Sequence, residues 1–319
     1  MYTVLEKSLL THCILCPRAC GVNRMEGETG YCNSDAGFYI AAICAHTGEE
    51  PVISGKKGIC NVFFSQCNLQ CIYCQNHEIS DNRKRFPSKG VTLKDVVDRI
   101  CAVLETTGNY VGFVSPSHFV PQMMAIIRAL HDAGKNPVFV YNSNGYDSVA
   151  TLKMLEGIID IYLPDFKYLD ARLAKEYSAA ADYPEVVVNA LKEMLRQKGT
   201  SLRLGDNGMA EFGMIIRHLV LPEAAEKSIE ILRFIAEELS DRCHVSLMAQ
   251  YFPTIGVNNH PILSKKITEK EYRLAVNAFQ ELGFIRGWVQ EMESSDHYQP
   301  FFESGLIGFK DHQDSLHKQ

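Results

Sequence analysis

From residue 60 onward the chain alternates between two hydrophobic patterns, short apolar runs and longer amphipathic segments. Six mostly apolar runs recur, at residues 60–64, 110–114, 137–141, 158–163, 211–221 and 244–248. Runs of this length without a regular polar face are typical of strands buried on both sides, as in a parallel sheet. The runs therefore predict six buried strands.

The segments between these runs repeat their apolar residues with the period of a helix. In the first of them, four apolar residues share one face: Val96, Val97, Ile100 and Leu104. The helical pattern covers residues 92–104, 121–133, 149–156, 184–197, 224–239 and 269–282. Strands that alternate with helices form βαβ units, so the sequence predicts an α/β fold, a partial (β/α)6 barrel. In such barrels the chemistry lies at the carboxyl ends of the strands.

The first 59 residues differ from the rest in composition and periodicity. They are rich in Cys and Gly, and they show little sustained period of either 2 or 3.6 residues. Such a segment does not easily bury a core alone, so we expect it to depend on a metal or on the neighbouring domain. The predicted organisation is a cysteine-rich module at residues 1–59 with a second metal site, a β/α barrel at 60–295 and a polar tail at 296–319.

Composition and charge exclude several classes of function. Of the 319 residues 46% are hydrophobic and 22% are charged, and no apolar run approaches the roughly 20 residues that span a bilayer. The net charge of -6 argues against a basic surface for nucleic acid, and the tight basic cluster at residues 83–85 lacks interleaved aromatic residues. The start of the chain lacks the features of a secretory signal. We expect a cytoplasmic protein that binds neither membranes nor nucleic acid.

Cysteine is the residue that points to chemistry. Nine of the eleven cysteines lie between Cys13 and Cys74, and in a large chain of the reducing cytoplasm metal ligation explains them better than disulfides. Cys67, Cys71 and Cys74 are spaced by three and two residues after the first predicted strand. Three thiolates so spaced can wrap one face of a [4Fe-4S] cluster and leave its fourth iron open, whereas a structural zinc needs four ligands.

The CxxxCxxC spacing, with Tyr73 directly before its last cysteine, resembles the signature of the radical S-adenosylmethionine (SAM) superfamily. The surroundings resemble one branch, the pyruvate formate-lyase activating enzyme-like iron-sulfur proteins, over residues 13–291. The resemblance implies the radical SAM type of barrel and a [4Fe-4S] cluster whose open iron binds the amino and carboxylate groups of SAM. It also implies cleavage of SAM to methionine and a 5'-deoxyadenosyl radical, which abstracts hydrogen from a substrate.

The same resemblance implies residues that bind SAM near the strand ends. Tyr73 is expected beside the adenine. Where many relatives carry Gly-Gly-Glu, this chain offers the hydroxyls of Ser115 and Ser117. Gln250 stands where activases carry a histidine that contacts SAM. Arg217 lies mid-strand among apolar residues and needs an anionic partner, either a SAM carboxylate or a carboxylate of the protein itself.

Two further strand ends are similar to those of the activases. Tyr141-Asn-Ser-Asn-Gly145 resembles their Asp-Thr-Asn-Gly, so that Asn142 and Ser143 are expected to contact SAM, although Asn-Gly alone also predicts a turn. Asp165 and Lys167 match the Asp-x-Lys pattern. Because they are two residues apart at a strand end, their side chains share a face. Lys167 is expected to pair with the SAM carboxylate and Asp165 with a ribose, cation or substrate group; the alternative is a surface salt bridge.

A second set of cysteines indicates another metal site. Its members are spaced C-x2-C-x3-C-x11-C: Cys13, Cys16, Cys20 and Cys32. Their polar flanks do not suit packing, so a structural zinc is the first interpretation, ahead of an auxiliary iron-sulfur cluster or vacant thiols. Zinc would fold a segment that does not fold alone.

The branch resemblance implies a protein or peptide substrate, with activation of a glycyl radical enzyme as one form of that chemistry. It further implies an electron donor such as flavodoxin or ferredoxin. Two alternatives remain open from the sequence. One is radical chemistry on a small molecule, and the other is a non-catalytic iron-sulfur or zinc protein.

Overall fold

The computed structural model describes residues 2–84 and 91–292. In this part of the chain nine strands form one sheet: β1 Ile40–His46, β2 Ile59–Phe64, β3 Tyr110–Val114, β4 Val138–Ser143, β5 Ile161–Pro164, β6 Arg203–Leu204, β7 Ala210–Leu219, β8 His244–Met248 and β9 Gly287–Val289. The order across the sheet is β1-β2-β3-β4-β5-β7-β8-β9, and β6 pairs with β7. Seven strands are parallel, while β1 and β6 run antiparallel to their partners. The predicted α/β partial barrel is confirmed.

The six predicted strands are confirmed as β2, β3, β4, β5, β7 and β8. Every residue of β3 and of β5 is buried, which explains why these runs lack a polar face. The sequence did not predict the other three strands. Strands β6 and β9 are only two and three residues long, and β1 is partly exposed along its length.

The helices of the described residues are α1 Val4–Thr11, α2 Pro51–Ser54, α3 His77–Ser80, α4 Leu93–Leu104, α5 Val120–Asp132, α6 Val149–Met154, α7 Ala171–Ser178, α8 Tyr183–Lys198, α9 Ala225–Phe234 and α10 Glu269–Glu281. The six predicted helices are confirmed as α4, α5, α6, α8, α9 and α10. Helices α4 and α10 begin where they do because Thr92 and Thr268 each form a capping box with an acidic residue three positions later.

The cysteine-rich segment packs against the barrel. Strand β1 pairs with β2, and Glu6 of α1 forms an ion pair with Arg128 of α5 at 2.7 Å. The hydroxyl of Thr151 donates to the carbonyl of Leu15 at 2.7 Å. The predicted boundary after residue 59 therefore falls at the first residue of β2, the strand that pairs with β1.

Some sequence predictions concern residues beyond those described. Arg85 of the basic cluster and the tail at 296–319 lie outside the described residues. Among residues 2–84 and 91–292, no helix combines the length and the apolar content required to cross a membrane. The cellular location and the lack of nucleic-acid partners stay predictions.

Candidate active site

The three cysteines of the CxxxCxxC motif lie on a loop that begins where β2 ends, at the carboxyl edge of the parallel sheet. Gln66 adopts a left-handed backbone with φ of 62°, and its amide donates to the carbonyl of Ile79, so the chain turns sharply before the first cysteine. Cys67 is buried, and Cys71 and Cys74 are partly buried. The motif thus occupies the edge where barrel chemistry was predicted.

Each of these thiols accepts a hydrogen bond from a side chain of another segment. The donors and their distances to sulfur are Asn144 to Cys67, 3.3 Å; Ser178 to Cys71, 3.0 Å; and Ser80 to Cys74, 3.3 Å. Sequence reasoning did not single out any of the three donors. Hydrogen bonds to ligating sulfurs stabilise thiolate charge and tune a bound cluster.

Burial controls the protonation of these thiols. It raises the pKa of Cys67 to about 12 and that of Cys71 to about 11, from an ordinary value of 9.0, and it raises the pKa of Cys74 as well. At neutral pH the thiols therefore stay protonated unless a bound cation compensates their charge. Three thiols, one buried and two partly buried, each with its own hydrogen-bond donor, fit a [4Fe-4S] cluster.

The other four predicted ligands surround a separate cavity within the amino-terminal segment: Cys13, Cys16, Cys20 and Cys32. Across the described residues, no three His, Cys, Asp or Glu side chains are close enough together to hold a single metal ion. The metal at Cys13, Cys16, Cys20 and Cys32, zinc or an auxiliary cluster, stays a prediction.

A chain of hydroxyl groups leads from Cys71 toward the interior. Ser178 donates to Cys71, the oxygen of Ser178 lies 2.9 Å from that of Tyr168, and the oxygen of Tyr168 lies 2.5 Å from that of Tyr73. The ring of Tyr73 is buried edge-on against Tyr177. These contacts hold Tyr73 in one orientation beside the cysteine loop, and its contact with adenine stays a prediction.

One of the serines predicted to bind SAM contacts a buried carboxyl group. The hydroxyl of Ser143 donates to Asp147, whereas the buried hydroxyl of Ser117 has no hydrogen-bond partner among the described residues. Burial raises the pKa of Asp147, and the surrounding hydroxyls offset part of that shift. The hydroxyl of Ser143 thus supports the loop after β4, and the contacts of Ser117 and Ser143 with SAM stay predictions. Ser115 is only partly buried at the end of β3 and stays a candidate.

The turn after β4 reaches the cysteine loop. Asn144 donates to Oδ1 of Asn68 at 2.8 Å as well as to Cys67. Gly145 has φ of 80°, and a Cβ there would overlap the carbonyl oxygen of Asp165. Turn geometry thus explains the glycine, and the contact with the cysteine loop explains the asparagine.

Asp165 and Lys167, which follow β5, bind each other. Nζ of Lys167 lies 2.6 Å from Oδ2 of Asp165, and the two side chains are only 16% and 24% exposed. Burial opposes the charge of Lys167, but Asp165 and the nearby Cys71 outweigh it and raise the pKa of the ammonium well above its usual value. The pair is therefore more than a surface salt bridge, since it fixes a positive charge beside the cysteine loop.

Arg217 on β7 is paired within the protein. Its Nε and Nη2 donate to the two oxygens of Glu50 at 2.9 Å, and Nη2 also contacts Glu49. Glu49 accepts further hydrogen bonds from Asn61 at 2.9 Å and from Asn142 at 3.4 Å. The prediction of a SAM carboxylate as the partner of Arg217 is thereby corrected to its alternative, an internal ion pair.

Glu49 and Arg217 of this ion pair both stay charged at neutral pH. Burial alone would raise the pKa of Glu49, but the guanidinium of Arg217 outweighs it and holds this pKa at about 2. The pKa of Arg217 is raised in turn. The sequence predicted no role for either glutamate, because their partner Arg217 lies far away along the chain.

Gln250 links the end of β8 to the cysteine loop. Its carbonyl oxygen accepts from the side chain of Gln75 at 2.8 Å, and its Oε1 accepts from Gln290 at 3.0 Å. Because Gln75 directly follows Cys74, the loop is held against the strand end. The contact of Gln250 with SAM stays a prediction.

His218 on β7 makes the stability of the folded protein depend on pH. Its Nδ1 lies 2.7 Å from the carbonyl of Phe166 and its Nε2 lies 2.9 Å from the hydroxyl of Ser228. Burial lowers its pKa from 6.5 to about 4, so in this interval the unfolded chain binds a proton that the folded chain does not. We expect His218 to lower the free energy of unfolding by about 2 kcal/mol between pH 8 and pH 5.

Urea unfolding of the wild type and of His218→Gln at both pH values measures this contribution. The variant loses buried hydrogen bonds and is less stable than the wild type at pH 8. Between pH 8 and pH 5, however, its free energy of unfolding should fall by about 2 kcal/mol less than that of the wild type. Burial lowers the pKa of His118 to about 3. This histidine is present in both chains, so its contribution to the pH dependence of unfolding cancels in the comparison. Equal acid-induced losses in the two chains would contradict the prediction.

Comparison with known proteins gives one relative by sequence. No protein-family model matches the chain. The uncharacterized protein MJ0674 of Methanocaldococcus jannaschii is 28% identical over 278 residues, which cover 85% of this chain and 75% of that protein. This similarity extends over most of the barrel but assigns no activity.

Two solved structures are similar in fold. The FeFe-hydrogenase maturase HydG from Carboxydothermus hydrogenoformans matches with a TM-score of 0.52 and 14% identity, over 75% of this chain and 55% of that one. Methylornithine synthase (PylB) matches with a TM-score of 0.50 and 14% identity, over 72% and 63%. The chain thus spans less than two thirds of either protein, and at these identities the likeness establishes the fold.

Proposed function

We propose that this chain, which has the fold of radical SAM enzymes, cleaves SAM reductively at a [4Fe-4S] cluster and uses the resulting radical to abstract hydrogen from a protein or peptide. The observation that carries the proposal is the cysteine loop at the carboxyl edge of the sheet. Its three thiols, Cys67, Cys71 and Cys74, each accept a hydrogen bond from a different side chain. Three protein thiolates leave one iron of a cubane open for SAM.

The protein residues have separate tasks in this reaction. When bound, a [4Fe-4S] cluster supplies the electron that cleaves SAM into methionine and a 5'-deoxyadenosyl radical. Asn144, Ser178 and Ser80 orient the three thiolates and stabilise their charge. Lys167, held by Asp165, places a positive charge beside the loop, where it favours the carboxylate of SAM.

The remaining SAM contacts follow the strand ends around the loop. Ser115 after β3, Asn142 at the end of β4 and Gln250 after β8 each carry a polar side chain that is only partly buried. Tyr73 presents a fixed aromatic ring for the adenine. These residues lie at or just after the carboxyl ends of their strands, the edge of the sheet that also carries the cysteine loop.

Two features support a macromolecular substrate. The branch that the sequence resembles acts on proteins, and the sheet ends in two edge strands, β1 and β9, so that the barrel is partial. A partial barrel admits a polypeptide loop from the side more readily than a closed one. An external donor such as flavodoxin or ferredoxin would supply the electron.

The test is anaerobic reconstitution of the wild-type protein with iron and sulfide, followed by SAM and a low-potential reductant. We expect 5'-deoxyadenosine and methionine in equal amounts, and faster turnover when a dialysed lysate is added. Protease treatment of the lysate should remove the stimulation. A protein that binds its cluster without cleaving SAM would refute the function, and stimulation by the small-molecule fraction alone would refute the macromolecular substrate.

A further inference from the structure

The side chain of Arg18 extends from the amino-terminal segment to the cysteine loop of the candidate active site. Its Nε donates to the carbonyl of Asn68 at 2.9 Å, and its Nη2 donates to the carbonyl of Ala179 at 2.9 Å. Asn68 directly follows the first cysteine of the loop. Ala179 directly follows Ser178, which donates to the sulfur of Cys71 at 3.0 Å. One guanidinium therefore joins the loop that carries the cysteines to the segment that supplies one of their hydrogen-bond donors.

Two aromatic rings hold the guanidinium of Arg18 in place. Its central carbon lies 3.8 Å from the ring centre of Tyr31 and 5.0 Å from that of Tyr146. At these distances a cation is attracted to the face of an aromatic ring. The carbonyl of Tyr146 accepts from Nδ2 of Asn68 at 2.7 Å, and Tyr146 belongs to the turn that supplies Asn144, the donor to the first cysteine. Arg18 thus contacts a second segment that positions a cysteine.

Two other bonds tie the amino-terminal segment to residues that lie before the first and after the last cysteine of the loop. Nε2 of Gln66 donates to the carbonyl of Asn33 at 2.8 Å, and Nδ2 of Asn82 donates to the carbonyl of Tyr31 at 2.8 Å. The bond from Arg18 differs from both, because it reaches a carbonyl between the first two cysteines and because its donor is charged. Hydrogen bonds from a charged donor are stronger than those between neutral groups. We therefore expect Arg18 to constrain the part of the loop that carries the ligands.

The arrangement of the two carbonyls suits arginine. Arginine presents its N–H groups in a rigid planar fork, so one side chain fixes the direction of two acceptors, whereas lysine carries a single point charge with rotating donors. Ala179 adopts a left-handed conformation with φ of 54°, which is uncommon for a residue other than glycine. Surrounding contacts must hold such a residue, and the bond from Arg18 is one of them. Loss of the fork would therefore release both Asn68 and the segment that follows α7.

We propose that Arg18 is a positioning residue for the metal ligands of the cysteine loop. By bridging the carbonyls of Asn68 and Ala179, it holds Cys71 and the donor Ser178 at a fixed spacing. Arg18 acts through the backbone of these two segments, and ligands that are held in place by such outer contacts bind a metal more tightly. The effect of Arg18 on the loop stands by itself, whereas its effect on a cluster rests on the proposed function.

The first test measures how accessible each cysteine is in the full-length, reduced chain without iron. Wild type and Arg18→Met are treated with iodoacetamide, and mass spectrometry follows the alkylation of each thiol with time. Without the bridge the loop should open more often, so we expect Cys71 to be alkylated at least about tenfold faster in the variant. Cys243, which directly precedes β8 and is 1% exposed, should react equally slowly in both chains.

The second test repeats the alkylation after anaerobic reconstitution with iron and sulfide. Ligation to a cluster protects a thiol, and we expect the protection of Cys71 to be lost about 10- to 100-fold faster in Arg18→Met than in the wild type. Arg203→Met is the matched control, because the guanidinium of Arg203 also lies over an aromatic ring, that of Phe212, at 5.2 Å. Arg203 is on β6, beside the first residues of β7 and thus at the opposite edge of the sheet. This variant should behave as the wild type in both tests.

Equal alkylation of Cys71 in the iron-free wild type and Arg18→Met would overturn the proposal. Faster alkylation of both Cys71 and Cys243 would mean that the variant unfolds, and Arg18→Lys then decides, because lysine keeps the charge but not the fork. In Arg18→Lys we expect faster alkylation of Cys71 alone, and alkylation at the wild-type rate would overturn the proposal. If reconstitution left Cys71 of the wild type unprotected, the proposed function would be refuted, while the iron-free comparison would still decide the role of Arg18.

Discussion

Replacing Cys71 by alanine should abolish the formation of 5'-deoxyadenosine. The substitution removes one of the three thiols of the proposed cluster site, and with it the acceptor for Ser178 and the connection to the hydroxyl chain. Loss of a hydrogen-bond partner of a metal ligand typically costs about 10- to 100-fold in activity. Loss of the ligand itself should exceed the upper end of this range. The measurement is the rate under anaerobic conditions with excess SAM and dithionite.

Two matched variants define the scale of this effect. Ser178→Ala keeps the ligand but removes its donor, and we expect a fall of about 10- to 100-fold. Cys101→Ala removes a partly buried cysteine of the outer helix α4 and should leave the rate unchanged. If Cys71→Ala retained the activity of Cys101→Ala, the cysteine loop would not be the site of SAM cleavage.

Replacing Arg217 by methionine should destabilise the folded protein by about 3 to 5 kcal/mol, because it leaves two buried carboxylates without their partner. The side chains of Glu49 and Glu50 are only 6% and 5% exposed, so water does not take over the role of the guanidinium. Denaturant unfolding of wild type and variant, under the same metal loading, measures the difference. Methionine keeps most of the length of the side chain, so that the lost charge dominates the effect.

Neutralising the two glutamates separates charge from packing. In the triple variant Arg217→Met, Glu49→Gln, Glu50→Gln, no charge remains buried, and most of the lost stability should return. Glutamine also preserves an oxygen that accepts from Asn61. A triple variant as unstable as Arg217→Met alone would show that the fold depends on the shape of the arginine and not on its ion pairs.

The strands and outer helices of this barrel could be predicted because strands buried on both faces are continuously apolar, and helices with one buried face repeat their apolar residues with a helical period. Runs such as residues 110–114 contain only residues that suit a buried strand, and the structure buries all of them. Strand β1 is harder to recognise, since three of its seven residues are alanines, which are depleted in strands, and it lies in a segment rich in Cys and Gly. Its place beside β2 therefore required the structure.

The site was predicted in outline for a related reason. The spacing of Cys67, Cys71 and Cys74 is local, so the sequence shows it directly. The need of Arg217 for an anion was also visible, but its partners Glu49 and Glu50 are more than 160 positions away and only the fold brings them together. Asn144 was overlooked because Asn-Gly already suggested a turn.

Strand β1 has a consequence for solubility. A chain beginning at residue 60 would keep every parallel strand and the whole CxxxCxxC loop, but it would leave the backbone of β2 unpaired along one edge. Unpaired strand edges are templates on which other chains add strands and aggregate. The amino-terminal segment therefore covers this edge of the barrel, and we expect a fragment that begins at residue 60 to aggregate.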